Sequence, residues 1–123
     1  MGWNFNGMKP IYLQIVEYLI NDILNGKYLP GERIPSVREL ALKAAVNPNT
    51  VQRALTELET QGLVVTHRSN GRTVTEEKEI IAATRKQAAQ KIGRTFLEKM
   101  EHLGYTREET DELLKEMRGN LNE

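Results

Sequence analysis

Residues 35–62 read PSVRELALKAAVNPNTVQRALTELETQG, and the helix caps within them decide the fold. Ser36, followed three residues later by Glu39, is a capping box, in which hydroxyl and carboxylate satisfy each other's backbone N–H groups at a helix start. A short helix is predicted from there to about Lys43, with Val37, Leu40 and Ala41 as its apolar face. Asn47 is a second N-cap, and Pro48 stands next to it, where a missing N–H costs no hydrogen bond. Another helix is therefore predicted to about Gln61, ended by Gly62. Two short helices joined by the residues around Ala44 to Asn47 have the spacing of a helix-turn-helix, whose second helix lies in the major groove of DNA.

The two faces of that second helix differ in chemistry. At about 3.6 residues per turn, Val51, Ala54, Leu55 and Leu58 share one side, while Asn49, Gln52, Arg53 and Thr56 point the other way. Amides bond adenine bidentately and a guanidinium bonds guanine, whereas a merely solvated helix face more often carries Glu and Lys pairs. Ser36 and Thr50 stand where such proteins meet phosphates, Arg38 stands where it meets either a phosphate or a base, and Asn47 opens the reading helix.

Upstream, Pro10 and Gly26 bracket a helix in which Ile11, Tyr12, Leu13, Ile15, Val16, Leu19, Ile20, Ile23 and Leu24 cover most of the circumference. Only Gln14, Glu17, Asn21 and Asn25 form a polar strip, so two covering surfaces are expected for this helix. Pro30 and Gly31 then make a turn. Downstream, LVVTH and RTVT read as strands of a hairpin, separated by Arg68, Ser69, Asn70 and Gly71 with Asn70-Gly71 as the turn signal, a wing whose Arg68, Asn70 and Arg72 suit a minor groove.

After Thr75 a long helical pattern runs to about Leu103, with Ile81, Ala88, Ile92, Phe96, Met100 and Leu103 on one stripe. Gly104 stops it, Thr106 and Glu109 form another capping box, and Leu113, Leu114 and Met117 mark a closing helix. The stripe is expected to pair two copies, because a monomeric reader has no register for two half-sites. Arg85 interrupts it: either that end faces solvent, or the arginine pairs with an acidic group such as Glu17 across an interface. The expected architecture is mainly α with a small β-hairpin. A winged helix-turn-helix over residues 1–75 precedes a two-helix dimerisation tail over 76–123.

Composition bounds the function. The formal net charge is zero, yet between residues 33 and 72 Arg33, Arg38, Lys43, Arg53, Arg68 and Arg72 outnumber Glu39, Glu57 and Glu59, and the stretch from residue 76 onward is mildly acidic. With 123 residues there is room for one modest core and no separate sensory domain, so at most a small apolar effector pocket fits between helices, and any signal would act through the dimer. Cysteine is absent, which removes disulfides and thiolate metal sites, and neither a cofactor nor a metal is expected. No apolar run approaches the roughly 20 residues of a membrane span, and MGWNFNGMKP lacks the regions of a signal peptide, so a cytoplasmic protein is expected. His67 and His102 lie far apart with no nucleophile or phosphate loop to complete a site, so no enzyme is expected. A helical protein-interaction module without DNA binding is the competing class, and salt dependence separates the two.

The segments PIYLQI, GKYLPGERIPSVRELA and VNPNTVQRALTELETQGLV together resemble the GntR family of bacterial transcription regulators, and within it the short YtrA-like subfamily. The match covers residues 10–75, and the long helix, LGYTREE turn and closing helix are similar to that subfamily's dimerisation element. The resemblance implies a dimeric repressor on a pseudo-palindromic operator, often beside transporter genes, with contacts from Ser36, Arg38, Asn49, Thr50 and Arg53. Many relatives carry arginine where Pro48 stands, and a Gly-x-Gly wing turn where this chain has Ser69, Asn70 and Gly71.

Overall fold

Pro10 supplies the N-cap of the first helix, α1 (Ile11–Leu24), and Gly26, at φ +85°, turns the chain away just past its C-cap Asn25. The computed structural model to which these elements belong describes residues 3–121; residues 1, 2, 122 and 123, the outer ends of the two expected segments, lie outside the described residues. α2 (Val37–Ala44) begins in the capping box: Ser36 Oγ accepts from the Glu39 amide at 3.1 Å, and the Ser36 amide donates to Glu39 Oε1 at 3.3 Å. α3 (Pro48–Thr60) begins at Asn47, whose Oδ1 accepts from the Asn49 amide at 2.8 Å. Between them Ala45 adopts the left-handed conformation at φ +55°, a tight turn made without glycine.

The wing is an antiparallel pair, β1 (Val64–His67) and β2 (Gly71–Val74), with Val64 opposite Val74 and His67 opposite Gly71. Of the four residues expected between the strands, 68–71, Gly71 joins the pairing. Arg68, Ser69 and Asn70 make a three-residue loop, and Gly71 at φ +72° takes the left-handed position that closes it. The segment after the Pro30-Gly31 turn is more than a turn. Ile34 N donates to Arg72 O at 3.0 Å, Val74 N to Glu32 O at 2.9 Å and Gly31 N to Val74 O at 2.8 Å, so residues 31–34 satisfy the outer edge of β2.

The core forms where the apolar faces of these elements meet. Ile15 and Leu19 of α1, Leu40 of α2, Val51, Leu55 and Leu58 of α3, and Leu63 and Val74 of the wing are fully buried. α1 and α2 both pack against α3, which fixes the direction of its outward face. By internal contact the chain divides into two compact units, Met1–Arg85 and Lys86–Glu123.

Within the first unit α1 finds its second covering surface in an N-terminal arm. Gln14, expected on the polar strip, is instead 4% exposed. Its Nε2 donates to the carbonyls of Asn6 and Lys9 at 2.9 and 2.8 Å, and its Oε1 accepts from Asn6 N at 2.9 Å, so the buried amide has partners at both ends. Tyr18 holds Asn4 through its hydroxyl, and Trp3 stacks on the Tyr18 ring. Ile80 and Ile81, from the start of α4 (Lys78–His102), lie half-buried against the same core. Arg85 neither faces water unpaired nor meets Glu17, which bonds Lys9 at 2.7 Å; its Nη2 donates to the Leu24 carbonyl at 2.9 Å.

The second unit contains the rest of α4 and α5 (Arg107–Leu121). Gly104 at φ +85° ends α4, and the Thr106–Glu109 capping box starts α5, with both reciprocal bonds formed at 3.0 and 3.1 Å. Met100 and Thr110 are its buried residues among those described, the Thr110 hydroxyl donating to Thr106 O.

Candidate nucleic-acid interface

α3 is rigidly placed because Val51, Ala54, Leu55 and Leu58 have no exposed surface at all. A helix anchored so completely on one side presents its other side in a fixed direction, and that side carries Asn49, Gln52, Arg53 and Thr56, all exposed. Gln52 reaches Thr56 Oγ1 at 3.4 Å, one turn on. Arg53 spreads over the ring of Tyr12, with its guanidinium carbon 3.8 Å from the centroid. Thr50 is half-buried. Asn47 spends its Oδ1 on the cap, which leaves its amide nitrogen for any external acceptor.

Beside this helix an open cleft of about 280 Å³ separates the start of α2 from β2, lined by Arg33, Ser36, Arg38 and Arg72 with Ile34 and Gly71. Arg38 is exposed and has no protein partner among the described residues. The α2 N-terminus adds its partial positive charge to the cleft. Glu39, in the first turn of α2, is held below the ordinary carboxylate value, first by its bonds to the Ser36 backbone and hydroxyl and then by Lys43 and Arg33. In the sequence Arg33 counts only toward the positive charge of residues 33–72; pairing with β2 brings its guanidinium beside Gly71.

The wing residues divide. Arg68 and Asn70 stand exposed on the loop. Arg72 turns back, with its side chain 17% exposed and its Nε 4.0 Å from Glu59 Oε1, an ion pair too long for a hydrogen bond. His67 bonds Thr73 across the strands at 2.8 Å. The tail residues form a separate set in which Ala88, Phe96, Leu113 and Leu114 are half-buried and Met100 is buried. Ile92 and Leu103 are 71% and 73% exposed, joined by Leu97 and Met117.

Residues 11–74, from the first turn of α1 to the end of the wing, match the model of the bacterial regulatory proteins, gntR family. The chain belongs to the gntR family. Among its relatives, the HTH-type transcriptional regulator YhcF of Bacillus subtilis is 39% identical over 115 residues, covering 94% of this chain and 95% of that one. The HTH-type transcriptional repressor YtrA of the same organism is 45% identical over 67 residues, 54% of this chain and 52% of YtrA. A solved GntR family transcriptional regulator from Listeria monocytogenes is 39% identical and superposes with a TM-score of 0.84 over 91% of this chain and 98% of its own. This GntR-family chain is thus a helix-turn-helix DNA-binding regulator and not an enzyme. Among the described residues, no helix is long and apolar enough to cross a membrane.

Proposed function

We propose that this protein is a YtrA-like homodimeric repressor, acting in the cytoplasm on a pseudo-palindromic operator in front of a transporter-type operon and its own gene. The observation that carries the reading is α3, whose inner face is wholly buried and whose outer face offers two amides, a guanidinium and a hydroxyl in one direction. Asn49, Gln52 and Arg53 read base edges, and Asn47, Thr50, Ser36 and Arg38 meet phosphates, with Arg33 added from the cleft. Arg68 and Asn70 follow the minor groove, and Arg72 holds the wing against α3.

Functionally, residues 1–75 bind DNA and residues 76–123 pair two copies. Support for the pairing comes from Ile92, Leu97, Leu103 and Met117, four large apolar side chains exposed on one small unit. Such a surface is costly in water and is removed from it by a second copy. The subfamily reading leans on the YtrA match.

The deciding experiment maps the bound DNA genome-wide and titrates the recovered site with salt. An operator reader gives two half-sites about one helical turn apart, and a log-log salt slope near −0.9 per phosphate contact. Arg53→Ala should relax base choice at one position and cost about 1–3 kcal/mol, while Arg38→Ala should weaken binding evenly across sequences. Silence of both variants on a site that the parent protein binds would refute these assignments.

A further inference from the structure

Arg53 and Tyr12 come from different helices, and their stacking ties the outward face of α3 to α1. Tyr12 is half-buried against the core, and its hydroxyl has no hydrogen bond among the described residues. What it gives Arg53 is therefore its ring. A guanidinium stacked by its face keeps all its N–H donors free, because they lie in its plane and point outward from its edge. That edge matches guanine N7 and O6. The guanidinium of Arg53 is exposed and has no ion pair among the described residues, so no acidic group competes for that edge. A long unrestrained arginine loses rotamer freedom when it binds, and a side chain already stacked loses less.

We propose that Tyr12 is a positioning residue for base recognition: its ring holds the Arg53 guanidinium edge-on toward a guanine of the half-site and so sets discrimination at that base pair. This rests on the reading of α3 as the groove helix.

The test measures gel-shift affinities of the full-length protein for an operator selected from random duplexes, and for its single base-pair variants. Tyr12→Leu keeps apolar bulk and removes the π face, Tyr12→Phe keeps the ring, and Arg53→Lys keeps the charge without the plane and leaves α1 untouched. Tyr12→Phe should bind within about twofold of the parent. Tyr12→Leu and Arg53→Lys should each lose about three- to tenfold on the selected operator and flatten preference at the same base pair. In an Arg53→Ala background Tyr12→Leu should add nothing, the mark of one coupled unit. Thermal melts confirm that each variant is folded. The inference is overturned by a Tyr12→Leu effect that persists without Arg53, by its absence, or by an equal loss in Tyr12→Phe. If the parent protein selects no sequence at all, the groove-helix reading itself fails and takes the inference with it.

Discussion

Arg85 Nη2 donates to the Leu24 carbonyl at 2.9 Å, so the start of α4 caps the end of α1 across sixty-one residues of sequence. The last carbonyls of a helix have no partner within it, and a cation there also meets the negative end of the helix dipole. Replacing Arg85 with methionine keeps much of the apolar stem and removes both effects. The side chain is exposed, so a loss of only about 0.3–1 kcal/mol is expected in urea unfolding. An unchanged midpoint would show the bond to be incidental.

Ala45 holds φ +55° and ψ +47° in the turn between α2 and α3, where a Cβ costs about 1–2 kcal/mol. Ala45→Gly relieves that strain and gives up some unfolded-state entropy, for an expected net gain of up to about 1 kcal/mol. Ala45→Val should destabilise. Thermal melts of both variants check the sign, and a glycine variant that melts lower would overturn the account.

Acidification should loosen α2 before the core. Glu39 titrates below its ordinary value in the folded chain because Ser36 bonds its ionised form. A carboxyl lowered in this way adds stability above its unfolded value, and that contribution is lost as pH falls through the folded value. Protection of the Val37 to Leu40 amides against exchange should therefore fall below the usual carboxylate range; Glu39→Gln should abolish that pH dependence, while Ser36→Ala, which keeps the backbone donor, should only reduce it. Protection that is flat with pH in the parent protein would contradict this.

In the tail, Ile92→Lys with Leu103→Lys should yield monomers in sedimentation at concentrations where the parent is dimeric. Both side chains lie mostly in water in a single chain, so neither change should lower the melting of the N-terminal unit. Dimers that survive the double substitution would place the pairing surface elsewhere.

Leu55 is fully buried at the centre of α3. Leu55→Ala should cost about 2–5 kcal/mol and weaken all DNA binding through unfolding, without altering base preference among the molecules that remain folded. A shift in preference would mean that the inner face of α3 also sets its reading geometry.

The parts legible in the sequence are those decided within one helical turn. Ser36 with Glu39, Asn47 with Pro48, and Thr106 with Glu109 are local chemistry, and the structure forms the cap hydrogen bonds of all three starts. The same locality let helical spacing separate Val51 from Gln52. What stayed hidden depends on distant backbone. Gln14 reads as polar and exposed, yet an arm without periodicity supplies carbonyls that bury it. Residues 31–34 pair with β2 through main-chain groups that leave no residue pattern. For the site, Arg72 depends on strand register, and the three-residue loop gives a pairing that an Asn-Gly turn would not. Arg33 and Tyr12 reach the candidate site only because β2 and α3 come to them.

Trp3, the only tryptophan in the chain, lies 5.3 Å from Tyr18 in a nearly parallel stack, on an arm that Gln14 fastens to α1. Its emission under selective excitation is consequently a private optical channel for this arm. Release of the arm would change the indole signal while the tail, whose aromatic residues are Phe96 and Tyr105, stays dark at that wavelength. The molecule thus carries its own spectroscopic label at the foot of the DNA-reading unit, and local detachment there can be followed in solution without adding a dye.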